Sequence, residues 1–351
     1  AFSEWTDEGQ MRQPVFMGLR EDKDPRSVVK ETFADVRLDD GEATISQKNE
    51  VDKYVVIDNR KIKLTNLDKV LWPEENYTKR DLIDYYRTVA KLMLPYLIDR
   101  PQSLYRTPNG IYAEGFYHKD VGDLAPDWAT TKKIFSESND KDINYLFCQD
   151  EATLVYMANL GCIEINPWLS RVQKLDYPDY VVIDLDPEDI AFDKVVEAAL
   201  AVKEALGRAG VKGYPKTSGA TGIHIYVPLH AEYDYDTATT FARLIATIAH
   251  ELVPDYTSLV RSPSKRQKKV YLDYLQNRKG QTLAAPYSLR PRKGAPVSTP
   301  LKWEEVKPGL DPQAFTIRTI HDRVEKMGDL FRGVLGAGLD LGKCLERLEK
   351  G

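Results

Sequence analysis

A mixed α+β fold is predicted by three features of the chain. Short β-branched segments with period-2 alternation are interspersed with stretches of helical period, and their order is irregular, unlike a repeating βαβ array. The 351 residues, 42% of them hydrophobic, are enough to bury a sizeable core, which excludes disorder and collagen-like structure. No apolar run approaches the roughly 20 residues needed to span a bilayer. The opening Ala1-Phe2-Ser3-Glu4-Trp5 has neither a basic nor an apolar targeting region, so the expected location is cytoplasmic, with no membrane partner.

Residues 1 to about 48 read as a separate piece, polar and aperiodic after Leu38, as expected of a linker. The absence of an initiator Met predicts a chain cut from something longer. The main domain is expected to begin near Asp52. Tyr54 to Leu64 predicts a hairpin turning at Asp58-Asn59, and Thr78 caps a helix from Lys79 to about Ile98 with Leu82, Ile83, Tyr86, Val89 and Leu92 on its apolar face. Strands are expected near Ser103–Arg106, Gly115–His118 and Ile143–Cys148, followed by a helix from Asp150 to about Leu160. A strand over Tyr180–Leu185 and a helix over Phe192–Ala209, ended by Gly210, come next. A strand over Gly222–Leu229, a helix over Thr237–Leu252, a strand over Val270–Leu275 and closing helices complete the order.

The strongest chemical signal is Tyr180-Val181-Val182-Ile183-Asp184-Leu185-Asp186-Pro187, an apolar strand with carboxylates at i and i+2 and therefore on one face. Two buried like charges raise each other's pKa unless a cation sits between them, and hard oxygen ligands suit Mg²⁺ or Mn²⁺. The bland alternative is a strand end where both acids meet water. Cys148, Cys162 and Cys344 form no CxxC pair, so a metal must be held by oxygen or imidazole. A second signal is Lys216 to Tyr226, a small Gly-containing loop leading into a strand. There Ser218 and backbone amides can approach an anion, and His224 and Tyr226 share the face opposite Ile223, Ile225 and Val227. It does not match a Walker A loop, and a turn alone is the plainer reading.

The net charge of −5 argues against indiscriminate nucleic-acid coating, yet residues 261 to 294 carry ten Lys or Arg against a single acid, Asp273. Asp273 in Val270-Tyr271-Leu272-Asp273-Tyr274-Leu275 is either a counter-ion of that stretch or a third metal ligand. Two acids on one strand, a third on another and a Ser/His loop between them match a two-metal phosphoryl-transfer site. Arg290 follows an apolar segment, as a triphosphate clamp would. Trp72, Trp168, Phe116 and Tyr117 are candidates for base stacking or for the core.

These residues resemble the polymerase domain of bacterial DNA ligase D, a member of the archaeo-eukaryotic primase superfamily. The similarity runs from about Leu64 to Val306, through Leu64 to Leu71, Tyr180 to Pro187, Lys216 to Leu229, Asp273 to Asn277 and Ala285 to Leu301. It implies a primase-like catalytic domain of mixed sheets flanked by helices. It also implies two Mn²⁺ or Mg²⁺ ions held by Asp184, Asp186 and Asp273, and NTP or dNTP substrates contacted by Ser218, His224 and Arg290. Lys69 and Lys79 fall where the family binds the 5′-phosphate of the downstream DNA strand, and Arg106, Phe116 and Tyr117 where it meets the template. Asn166, in Glu164-Ile165-Asn166-Pro167-Trp168, stands where many relatives have His. Its amide can still hydrogen-bond a nucleotide but cannot carry a proton charge.

Phe2 to Lys23 resembles the last motif of an ATP-dependent DNA ligase, and no KxDG adenylation lysine exists in the chain. The domains implied are a ligase remnant over 1–30, a linker over 31–50 and a primase-polymerase domain over 51–340, the parent protein carrying a covalently linked ligase. The activity implied is template-dependent nucleotidyl transfer that fills gaps and extends DNA ends in bacterial non-homologous end joining. The implied setting is the nucleoid, with Ku and phosphorylated double-stranded ends as partners. A de novo primase and a noncatalytic end-binding module are the rival readings.

Overall fold

The structure, a computed structural model, describes residues 53–350 except 123, 124, 138, 263, 265 and 267. It also describes the short paired strands β1 (Glu4–Trp5) and β2 (Met11–Arg12). The chain divides into two compact units, 1–49 and 50–351. Beyond those two strands, the expected ligase remnant and linker lie outside the described residues.

The second unit opens with the hairpin β3 (Lys53–Ile57) and β4 (Arg60–Leu64). Asp58 and Asn59 sit at φ 50° and 62°, the pair of left-handed residues that a tight two-residue hairpin turn requires. β5 (Val70–Trp72) and β6 (Tyr77–Thr78) form a small ladder that delivers Thr78 as the cap of α1 (Lys79–Met93). Thr78 and Asp81 cap each other's backbone amides in a capping box. α1 stops short of the expected Ile98 because Pro95 has no N–H to continue the ladder, and the chain tightens into a 3₁₀ turn over Leu94–Tyr96. Strands β7 (Gln102–Arg106), β8 (Phe116–His118) and β11 (Cys162–Pro167) make a three-stranded sheet in the order β11-β7-β8. Between them lie the ladder β9 (Thr130–Ser136) with β10 (Lys141–Phe147) and the helix α2 (Glu151–Asn159), capped by Asp150.

The main sheet has the order β13-β14-β12-β16-β15, from β12 (Tyr180–Glu188), β13 (Tyr214–Thr217), β14 (Ile223–Pro228), β15 (Thr257–Ser258) and β16 (Lys269–Asp273). All pairings are antiparallel except β15 with β16. Alternation along β12 sorts its side chains between two cores. Val181, Ile183 and Leu185 pack against α3 (Phe192–Arg208) and α4 (Tyr235–Leu252), joined by Cys344 of the last helix, α6 (Leu341–Lys350). Tyr180 and Val182 face the other core, which holds α1, α2, β11, Tyr287, Leu289 and Phe331. α5 (Ile320–Met327) contributes Ile320 to that second core. The fold is therefore α+β, with one central mixed sheet buried on both faces.

Asn277 clamps β12 at Val182, accepting from its N–H at 2.7 Å and donating to its C=O at 2.6 Å. Both Asn277 and Val182 are fully buried, so Asn277→Ala strands two backbone groups. A loss of about 2–4 kcal/mol is expected in denaturant unfolding, with little change in the urea slope.

Candidate active site

β12 is the central strand of the main sheet, and the site is built around its Asp184. Register places His224 of β14 on one side of Asp184 and Asp273 of β16 on the other. Asp186 lies two residues on and opposes Tyr271, so the carboxylates of Asp184 and Asp186 leave the same face. Asp184 is 4% exposed and Asp186 partly buried. Burial, then Asp186 and Asp273, holds the Asp184 carboxyl well above the usual carboxylate range. Burial and then Asp273 raise Asp186 as well.

Asp184 Oδ1 is buried with no hydrogen-bond donor: His224 Nε2 lies 3.3 Å away but not along a hydrogen-bond axis. An acceptor-only, desolvated, like-charged pair with an orphaned oxygen fits a hard divalent cation. Asp273 is turned aside. Its Oδ1 accepts from the Leu275 amide at 2.7 Å and from the Tyr271 hydroxyl at 3.2 Å, and its Oδ2 from Gln276 at 3.3 Å. Hence, among the described residues, no three His, Cys, Asp or Glu side chains converge as a metal cluster.

The loop from Ser218 to Gly222 closes on itself: Ser218 Oγ accepts from the amides of Ala220 and Gly222, each at 3.0 Å. A Cβ on Gly222 would lie 2.3 Å from the Leu185 carbonyl oxygen, so only glycine lets the loop approach β12 this closely. Arg290 donates to the Ser218 carbonyl at 2.8 Å, and its Nε lies 2.8 Å from Glu164 Oε2, an ion pair off the N–H axis. A bulge in β11 between Cys162 and Glu164 sets Glu164 opposite Tyr105 and Asn166 opposite Ser103. Asn166 therefore shares a face with Glu164. It is 2% exposed, and its Nδ2 has no partner.

Of the remaining candidates, Phe116 and Tyr117 are 46% and 58% exposed and so stand outside the core, whereas Trp72 and Trp168 belong to it. Tyr117 packs on Tyr105 with ring centroids 4.9 Å apart. Burial and then the nearby Glu164 raise its hydroxyl pKa. Arg106 lies over the Phe116 ring at 5.2 Å and donates to the Leu160 carbonyl at 2.9 Å. Lys69 and Lys79 meet at the start of α1, where the Lys79 amide donates to the Lys69 carbonyl at 2.9 Å. Lys69 Nζ reaches Asn109, and the buried Lys79 reaches Thr65.

Three participants escape a reading by sequence alone. Glu164 is the partner of Arg290. Arg266 stacks over Tyr271 at 4.2 Å, where its charge partly offsets the rise at Asp186. Lys216 is fully buried behind His224. For Glu164, a charged residue inside an apolar strand was the available signal.

The model of the LigD primase-polymerase domain matches residues 78–331. The bifunctional non-homologous end joining protein LigD of Bacillus subtilis is 35% identical over 76% of the chain and 43% of its own length. The multifunctional LigD of Mycolicibacterium smegmatis is 32% identical over 77% of the chain and 35% of its own. The chain thus spans less than half the length of these relatives. The solved polymerase domain of Mycobacterium tuberculosis ligase D, in complex with DNA, superposes with a TM-score of 0.71 at 30% identity, covering 78% of this chain and 98% of that one. With the family match and the superposition in agreement, the chain belongs to the LigD primase-polymerase domain family.

Proposed function

We propose that the chain is a template-dependent nucleotidyltransferase that fills short gaps and extends broken DNA ends in non-homologous end joining. The observation that supports this most directly is Asp184, buried on the central strand between His224 and Asp273 with an oxygen left without a donor. Asp184, Asp186 and Asp273 would hold two divalent ions, Mn²⁺ or Mg²⁺. When bound, these activate the primer 3′-hydroxyl and neutralise charge on the transferring phosphoryl group.

The chain's own residues bind and orient. Arg290, fixed against Glu164 and the Ser218 carbonyl, presents its guanidinium to the triphosphate, and Ser218 beside it, whose hydroxyl accepts two loop amides, keeps its own proton to donate. His224, buried and kept neutral by its surroundings, serves as a hydrogen-bond donor rather than a titrating base. Exposed Phe116 and Tyr117 give a template base a stacking surface with Arg106 beside them, and Lys69 with Lys79 receives a 5′-phosphate. Asn166 offers its amide to the nucleotide or primer end. The wider assembly, with a covalently linked ligase and Ku in the bacterial nucleoid, belongs to the same proposal. Among the described residues no helix is long and apolar enough to cross a membrane.

The test is single-nucleotide incorporation on a gapped duplex whose template base is varied through all four identities, with a parallel reaction lacking a primer. The incorporated nucleotide should follow the template, and product should require the primer. Product independent of the template base contradicts the reading, and primer-independent product favours a de novo primase.

A further inference from the structure

Resting on the nucleotidyltransferase reading, we propose that Lys216 is the positioning residue that fixes the tautomer and orientation of His224. Lys216 lies on β13 directly opposite His224 in the ladder with β14, and none of its surface is exposed. It cannot touch substrate, so any influence on the reaction passes through its contacts.

Its Nζ makes three hydrogen-bond contacts. Nζ lies 2.9 Å from the Ala284 carbonyl oxygen, 2.5 Å from Ser298 Oγ and 2.9 Å from His224 Nδ1. The first two can only accept from the amine: a carbonyl has no proton, and the Ser298 hydroxyl proton is committed to the Thr217 carbonyl at 2.9 Å. Two N–H bonds of Lys216 are therefore spent, and the third tetrahedral position points at His224 Nδ1.

Two arrangements satisfy that contact. If Lys216 donates, Nδ1 is the acceptor and the ring proton resides on Nε2. If instead Nδ1 carries the proton, Nε2 is left as a bare acceptor in a buried site, 3.3 Å from Asp184 Oδ1, which itself has no donor. The first arrangement adds no second orphaned acceptor and leaves an N–H in the acid site, where a triphosphate oxygen needs a donor. Lys216 thus does for His224 what an outer carboxylate or carbonyl does for a metal-bound histidine: it sets which nitrogen carries the proton and holds the ring plane.

The assignment is tested by ¹⁵N NMR of the histidine-labelled full chain, which has only five histidines, together with steady-state primer extension by wild type and Lys216→Met. In wild type, His224 should show an unprotonated Nδ1 and a protonated Nε2. In Lys216→Met the signal should shift toward a mixture of tautomers, and the KM for NTP should rise on the order of tenfold with a smaller change in kcat. A wild-type spectrum with the proton on Nδ1 overturns the assignment, and this holds even if the variant fails to fold. A folded variant with an unchanged His224 spectrum and unchanged KM overturns it as well. Failure of wild type to extend any primer would instead strike the polymerase reading, because the tautomer is read without substrate.

Discussion

Asp184→Asn should unfold at a higher temperature than wild type when both are free of metal, and it should not extend a primer. Asp184 and Asp186 both have raised carboxyl pKa values, Asp184 by burial and then the charges of Asp186 and Asp273, Asp186 by burial and then Asp273. For such an acid the folded state binds more protons than the unfolded state between the ordinary carboxylate range and the raised value. Stability then falls as pH rises through that window, as the folded protein takes on the cost of ionising the buried acids. A neutral amide at position 184 removes part of that cost, on the order of 1 kcal/mol or roughly 2 °C in Tm. Wild type should gain stability on acidification from pH 7 toward 5, and the variant less. Mn²⁺ should raise the Tm of wild type but not of the variant. Extension should fall by about 10³-fold or more. Thermal scans at pH 5 and 7, with and without Mn²⁺, check the signs; a variant less stable than wild type at pH 7 contradicts them.

Arg290→Ala should be the most destabilising single substitution in the site. Arg290 is the ionic partner of Glu164, whose side chain is 8% exposed, and it also satisfies the Ser218 carbonyl. Removing it leaves a buried carboxylate without a cation, a loss of about 3–5 kcal/mol. Adding Glu164→Gln should restore most of that stability, because the stranded charge is gone. It should not restore extension, because the triphosphate still lacks its guanidinium. Denaturant unfolding and primer extension on the two single variants and the double separate these effects. A double variant as unstable as Arg290→Ala would show that the pair does not account for the loss.

How far the sequence carries depends on whether a residue's role is local. The Asp58-Asn59 hairpin, the Thr78 and Asp150 caps and the apolar run of β12 all follow from short-range rules, and the structure has each of them. The helical period of α1 continues in the sequence through Pro95, where the missing N–H ends the ladder. β11 is hard to read from sequence because its alternation, Ile163-Glu164-Ile165-Asn166, is short, puts a charge and an amide in a fully buried strand, and ends in proline. Asp184, Asp186, Ser218 and His224 stand out because like charges and a glycine turn are conspicuous in apolar strands. Lys216 and Glu164 are charges in apolar strands too, but each acquires its role only when the fold brings it to a distant partner. The residues before 53, apart from two short strands, lie outside the described set, so the expected ligase tail and linker remain expectations.

The measurement that tests the central claim most directly is extension across a gapped duplex in Mn²⁺, with and without a downstream 5′-phosphate, by wild type and Asp184→Ala, alongside binding of the same DNA. Wild type should extend and be stimulated by the phosphate, while the variant binds the duplex but adds nothing. An Asp184→Ala protein that still extends, or a wild type that binds the phosphorylated end yet never extends it, would contradict the account.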